Sequence, residues 1–451
     1  MAKISLIGAG GVIFAQNFIK DILIGAALRG SEIVLMDIDA ARLNNAAIFA
    51  GKIGEKLGVV PHVSATTDLR RAVKSADYVI TLFRVGVLGH QRLEQEIPRK
   101  YGVNQVVGDT LGPGGIFRGL RTLKALFEVV DAMEAGCPGA YLLNYVNPMS
   151  INTIALSRRA KTIKVIGLCH SVQHTAQELA GYIGVEKNQV KYLAAGINHQ
   201  AFMLKFEVNG RDAYPRLRQA MAKPEVYNKD KVRFEIFRHF GYFPTESSGH
   251  GSEYIPYIRK RKDLIDKFCR VDYPNTSDGI DWGAMSAGRS GASLEICAGL
   301  QKRNEKEITA LLDGTKEFDL QPSGEYAVQI IRAIETNTAL SANLDVINRG
   351  LIPTLPPECC VEVPCLVDGG GIIPGRIADY PEQLAGLNRG MINAQLPAAD
   401  GALTGDRRKI FHAIALDPLT AAVCSLDEIQ AMTDELFEKL KDQIAPEFIN
   451  N

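Results

Sequence analysis

The sequence predicts an α/β fold: a doubly wound parallel sheet over residues 1–190, then a mixed α+β region over 191–451. Three observations predict it. Short apolar runs alternate with helical patterns through the first 170 residues. Those runs are continuous rather than alternating, which marks strands covered on both faces. Past about residue 190 the rhythm changes to longer extended runs, charged and aromatic stretches, and a helical end.

Taken in order, "KISLIG" (3–8) is a short strand ending in glycine, followed by a helix carrying Phe14, Phe18, Ile22 and Leu23. "EIVLMD" (32–37) is the second strand, and a helix follows from about Ala40 to Leu57. "DYVITLF" (77–83), "YLLNYV" (141–146) and "TIKVIGL" (162–168) are three more strands. Leu123, Leu126, Phe127, Val130 and Met133 recur at helical spacing, and Gly136 and Pro138 stop that helix. "VKYLAAGINHQAFMLKFEV" (190–208) reads as extended strands around a loop at Gly196–His199. Helical patterns return near 302–314 and 323–336. "LDVINRG" and "CCVEVPCLVD" read as two strands joined by a proline-bearing loop, and 381–443 is mostly helical.

Composition narrows the class. The 451 residues are 46% hydrophobic and 23% charged, with 51 basic and 51 acidic side chains. That balance argues against a nucleic-acid or membrane partner. No run reaches the roughly 18 apolar residues of a membrane span. "MAKISLIGAGG" lacks a signal peptide's charged region and cleavage site, and eight scattered cysteines fit reduced thiols. The expectation is a cytoplasmic enzyme without disulfides.

"IGAGGVIF" places Gly8 and Gly10 directly after the first strand. Glycines there let backbone amides approach a pyrophosphate at the next helix N-terminus. The third glycine of the G-x-G-x-x-G fingerprint is replaced by Ile13, so the match is partial. "LMDID" closes the second strand with Asp37, where a carboxylate accepts from a ribose 2′-hydroxyl and repels a 2′-phosphate. This favours NAD over NADP.

Ligands of doubly wound sheets gather outside the carboxyl ends of the strands. That rim holds Phe83, Arg84, Asn144 to Asn147, and "GLCHSVQ" with Cys169 and His170. Thirty residues beyond Cys169, "GINHQ" offers Asn198 and His199. One Cys and one His make an incomplete metal cage, the pattern of a catalytic rather than a structural ion. A lone strand-end cysteine also serves as a small buried hydrophobe, or as a thiolate nucleophile activated by histidine. "YFPTESSGHGSEYIPYIRKRKD" (242–263) gathers Glu246, Ser247, Ser248, His250, Glu253, Tyr254 and Tyr257. It suits either a loop lining a pocket or a solvated loop over an apolar edge.

"IGAGGVIF", "LMDID", "DTLGPGG" (109–115), "NYVNPM" (144–149), "GLCHSV" (167–172), "AGINH" (195–199) and "CCVEVPCLVD" (359–368) occur in one order along most of the chain. Together they resemble glycoside hydrolase family 4, the NAD- and metal-dependent glycosidases. Within it, "CHSV" with "DTLGPGG" and "ESS.H..EY" looks most like the α-galactosidase branch, Ser171 tipping the choice. Relatives acting on α-glucosides or α-galacturonides are the alternatives. So is a lactate/malate-type dehydrogenase, which shares the Rossmann-type nucleotide domain but whose histidine-centred signature is missing.

The resemblance implies a fold like the lactate/malate dehydrogenases, a homodimer or homotetramer, a small sugar substrate, and NAD and Mn2+ as cofactors. It implies Cys169 and His199 as metal ligands, and Gly8, Gly10, Gly11, Val12, Ile13, Asp37, Arg42, Phe83 and Asn147 as the dinucleotide pocket. It implies transient C3 oxidation of the sugar by NAD+, removal of the C2 proton, elimination at C1 and addition of water, outside the two-carboxylate scheme of most glycosidases. Tyr254 is expected as the base, with Tyr257 as its competitor, and His170 or Asp109 as the acid. Asn147, Asn198, His250 and Arg289 are expected at the sugar.

Overall fold

The computed structural model describes residues 1–269, 276–277 and 279–448. Six parallel strands come first: β1 (Lys3–Ile7), β2 (Glu32–Met36), β3 (Val63–Thr66), β4 (Tyr78–Thr81), β5 (Tyr141–Asn144) and β6 (Lys164–Gly167). Their order across the sheet is β3-β2-β1-β4-β5-β6. The order reverses between β1 and β4, and that reversal opens the crevice in which such sheets take ligands. Both faces are covered. Ile4, Leu6, Ile33, Leu35 and Ile80 feed one core, whereas Ile7, Val34 and Val79 feed the other. Since successive strand residues point to opposite faces, two cores demand unbroken apolar runs.

The first seven helices are α1 (Val12–Ile24), α2 (Ala40–Leu57), α3 (Leu69–Val73), α4 (Leu88–Lys100), α5 (Gly112–Gly136), α6 (Met149–Arg159) and α7 (Ser171–Tyr182). The helix expected around residues 123–133 starts earlier, at Gly112, because Pro113 in its first turn has the helical φ built in. Strand β3 carries no apolar run; it is a half-exposed edge strand, "VSAT".

The sheet continues without a break into the second half of the chain. After β6 come the strands Leu340–Ile347 and Cys360–Asp368, then β7 (Val190–Ile197), β8 (Gln200–Val208) and β9 (Arg211–Asp212), all antiparallel. The seam is narrow: Asp345 stands opposite Gly167, and Glu362 opposite Gly196. A Cβ on Gly167 would stand 2.6 Å from Met149 Sδ and 2.7 Å from Asp345 Cβ, so only glycine lets the two halves close.

The stretch expected near 302–314 is the end of a longer helix, Ala292–Asp313, and Tyr326–Thr336 follows. The helices Glu382–Thr404, Arg407–Ala415 and Leu426–Leu440 cover the second core, where Ile410 and Leu436 join Phe117 and Leu120. All eight cysteines are free thiols. Among the described residues no helix is long and apolar enough to cross a membrane.

Candidate active site

The first part of the site is the turn after β1. Gly8 has φ +95°, and a Cβ there would lie 2.6 Å from Phe83 Cβ at the end of β4. A Cβ on Gly10 would lie 2.6 Å from the carboxyl carbon of Asp37. The Asp37 carboxylate accepts from the Gly10 amide at 2.8 Å and from the Asp39 amide at 2.9 Å. Thus Asp37 braces the glycine turn, a task its sequence position did not disclose. Helix α1 opens after Gly11 with no side-chain cap on its first amides. Val12 is buried, and Ile13, in the place of the third glycine, packs against the core. Arg42 lies on the exposed first turn of α2, 3.6 Å from Asp39.

The second part joins both halves of the sheet. Cys169 follows β6 by two residues, and Asn198 and His199 form the turn between β7 and β8. His199 takes φ +62°, left-handed backbone that suits a two-residue hairpin turn. Its Nδ1 lies 2.9 Å from Thr110 Oγ1 and 3.3 Å from the Tyr254 hydroxyl. Its Nε2 faces Glu246 Oε2 at 3.7 Å. Ligand atoms of Cys169, His199 and Glu246 all lie within 4.8 Å of one another, and so do those of Asp109, His199 and His250. His250 stands between two carboxylates, with Nδ1 2.8 Å from Glu246 Oε1 and Nε2 3.6 Å from Asp109 Oδ1. Asn147 donates to Asp109 Oδ2 at 3.2 Å, and Arg118 lies 3.9 Å from the same oxygen.

Burial and pairing set the charges. Burial alone would raise the Asp109 carboxyl, but His250 and Arg118 overrule it and hold it well below the usual range. Glu246 is likewise held down, to about 2, by His250 and His199 against the pull of burial. Burial disfavours a charged His250, yet Glu246 and Asp109 push it well above an ordinary imidazole. Burial pushes the Cys169 thiol up to about 12, with Glu246 and Asp345 adding to the shift. Tyr254 is also driven up, by burial and then by Glu253 and Asp109. Without a cation, therefore, the sulfur and the phenol both keep their protons.

The other expected residues are dispersed. Asn198 is fully buried and donates to Asp345 Oδ2 at 3.3 Å. His170 stands just before α7 without a side-chain cap bond, places Nε2 2.9 Å from Glu325, and has its ring stacked near those of Tyr145 and Tyr326. Arg289 turns to Glu295 in an exposed two-bond pair, and Tyr257 is half exposed against Phe240. The sequence reading assigned no role to Thr110, Arg118 or Glu246. For Glu246 the signals were its place at the head of "ESS.H..EY" and four residues before His250, neither of which gave it a role.

Comparison with known proteins gives a consistent set. The family model described as Family 4 glycosyl hydrolase matches residues 3–185, and that of the Family 4 glycosyl hydrolase C-terminal domain matches residues 194–420. An alpha-galactosidase of Bacillus subtilis is 37% identical over 99% of this chain and 100% of its own length. An alpha-galactosidase of Rhizobium meliloti is 35% identical over 96% of this chain and 87% of its own. Among solved structures, a putative glucosidase of Bacillus subtilis superposes with TM-score 0.84 at 24% identity, covering 97% of this chain and 99% of the other. A 6-phospho-alpha-glucosidase from gut microorganisms, solved with NAD and Mn2+, gives TM-score 0.79 at 19% identity over 98% and 99% of the two chains.

Proposed function

Because this chain belongs to family 4 of the glycosyl hydrolases, we propose that it hydrolyses α-galactosides, using NAD and a divalent cation, manganese first. The observation that carries the substrate is the pair of full-length alpha-galactosidase relatives. The observation that carries the chemistry is the convergence of partly buried Cys169 with buried His199 and Tyr254 in one cluster.

The residues fit both groups. Gly8 and Gly10 leave backbone bare where any Cβ would collide, beside the uncapped first turn of α1, which is a place for a pyrophosphate. Asp37 adds a carboxylate at the end of β2 for a ribose hydroxyl. Cys169 and His199 supply sulfur and nitrogen donors, a set suited to a divalent transition metal. When bound, NAD would take up and return hydride at C3 of the sugar, and the cation would acidify the neighbouring C2 hydrogen.

The side chains of the chain then divide the proton work. With a cation nearby to favour its ionised form, the Tyr254 oxygen would receive the C2 proton and return it to C2 when water adds; its contact with His199 Nδ1 fixes its position. The bond between C1 and the glycosidic oxygen breaks, the departing oxygen takes a proton, and water adds at C1. His250 stands between Glu246 and Asp109 and His170 faces Glu325, and these two imidazoles are the candidates to serve the departing oxygen. Asp109 stays ionised, which makes it an orienting acceptor for Asn147 and His250 rather than the acid.

Hydrolysis of p-nitrophenyl α-galactoside tests the reading. Chelation should abolish it, and recovery should need Mn2+ and, in stripped protein, NAD+. Full turnover by metal-free, NAD-free protein would overturn it. A matching panel of α-glucosides and α-galacturonides should be slower; a faster member would replace the sugar and leave the chemistry standing. Tyr254→Phe should lower kcat about 10²- to 10⁴-fold with Mn2+ binding retained.

A further inference from the structure

We propose that Glu246 is a third protein ligand of the divalent cation, its Oε2 completing a sulfur, nitrogen and oxygen set with Cys169 and His199. This rests on the cation site read above. Three observations support it.

The first is which atoms are free. His199 Nδ1 is taken up by Thr110 and Tyr254, which leaves Nε2 as the ligand nitrogen. That nitrogen faces Glu246 Oε2 at 3.7 Å, too far for a direct hydrogen bond. It matches the spacing of about 3–4 Å between neighbouring ligands that each sit roughly 2.1 Å from one ion. Glu246 Oε1 is occupied by His250, so the carboxylate is oriented with its second oxygen toward the sulfur and the imidazole.

The second is how the alternative set is built. His250 has both nitrogens against carboxylates, and Asp109 is engaged by Thr110, Asn147 and Arg118. Both His250 nitrogens thus face carboxylates and Asp109 is shared among three neighbours, so the set of Asp109, His199 and His250 is arranged as a charge-paired brace, whereas Glu246 Oε2 faces the free nitrogen of His199.

The third is backbone strain held in place. Glu246 has φ +72°, a conformation rarely adopted by a residue with a long side chain. The buried Arg233 guanidinium fixes it by donating to the Glu246 carbonyl, and is itself held by Asp230, Glu178 and Thr175. His199 is also left-handed, at φ +62°. Two such residues meeting in one cluster mark a place where the fold imposes side-chain direction at the expense of local comfort.

The test is cation binding by the full-length chain, with no turnover needed. Mn2+ dissociation constants and the Co2+–thiolate absorption band would be measured for the parent, Glu246→Gln, Glu246→Asp and Cys169→Ser. Glu246→Gln should weaken Mn2+ tenfold or more while a shifted Co2+–thiolate band persists, and Glu246→Asp should fall between it and the parent. Parent-like affinity and an unshifted band in Glu246→Gln, with binding lost in Cys169→Ser, would overturn the carboxylate ligand and keep the two-ligand site. No thiolate band in the parent would remove the cation site itself. Should Glu246→Gln fail to fold, Glu246→Ala decides by the same readouts: parent-like Mn2+ affinity with an unshifted Co2+–thiolate band overturns the proposal, and tenfold weakening upholds it.

Discussion

Two sets of buried carboxylates act on Cys169 and His199, and they are built in opposite ways. In one, Asp109 and Glu246 alternate with His250 and His199, so every acid has an imidazole within 4 Å. In the other, Asp345 and Glu362 stand side by side on paired strands with only the Asn198 amide between them and isolation. One oxygen of Asp345 and both of Glu362 have no hydrogen-bond partner. All four acids are buried, or nearly so. The first two are held ionised, whereas burial raises Asp345 to about 8 and Glu362 well above an ordinary carboxyl. Pairing decides the charge, not depth.

The largest effect should come from breaking the first set. His250→Ala leaves two buried carboxylates facing each other and should cost about 3–5 kcal/mol, read from urea unfolding of metal-free protein. A loss under about 1 kcal/mol would mean that the imidazole does not hold the acids apart. Next comes the second set. A folded carboxyl raised from near 4 to about 8 contributes stability that is intact below pH 4 and lost as pH climbs to 8. Asp345→Asn in metal-free protein should therefore flatten stability across that window, exceeding the parent by about 1–3 kcal/mol at pH 8. An unchanged slope would show that Asp345 is paired after all. The smallest effect is expected at the surface. Arg289→Ala removes an exposed pair with Glu295 and should change stability by no more than about 0.5 kcal/mol. A raised KM in that variant would restore Arg289 to the sugar site.

Much of this was legible. Gly8, Gly10, Asp37, Cys169 and His199 are distinctive residue types that interrupt apolar runs, so their positions at strand ends could be read directly. Strand β3 could not, because "VSAT" at a sheet edge buries too little to show a pattern. Neither could the joining of the two halves, which rests on single register contacts such as Asp345 with Gly167, 178 residues apart by number (345 − 167). Glu246 was hidden for a different reason. Its carboxylate is aimed by a backbone angle that Arg233 enforces from 13 residues upstream, and no local residue pattern encodes that.

The glycine seam has an ordering consequence. The sulfur belongs to the parallel strands and the imidazole to the antiparallel ones, and they meet only when Gly167 and Asp345 come into register. In a nascent or half-assembled chain Cys169 and His199 are therefore apart. On the proposed cation site, metal capture would follow assembly, and a bound ion would report that the whole sheet has closed.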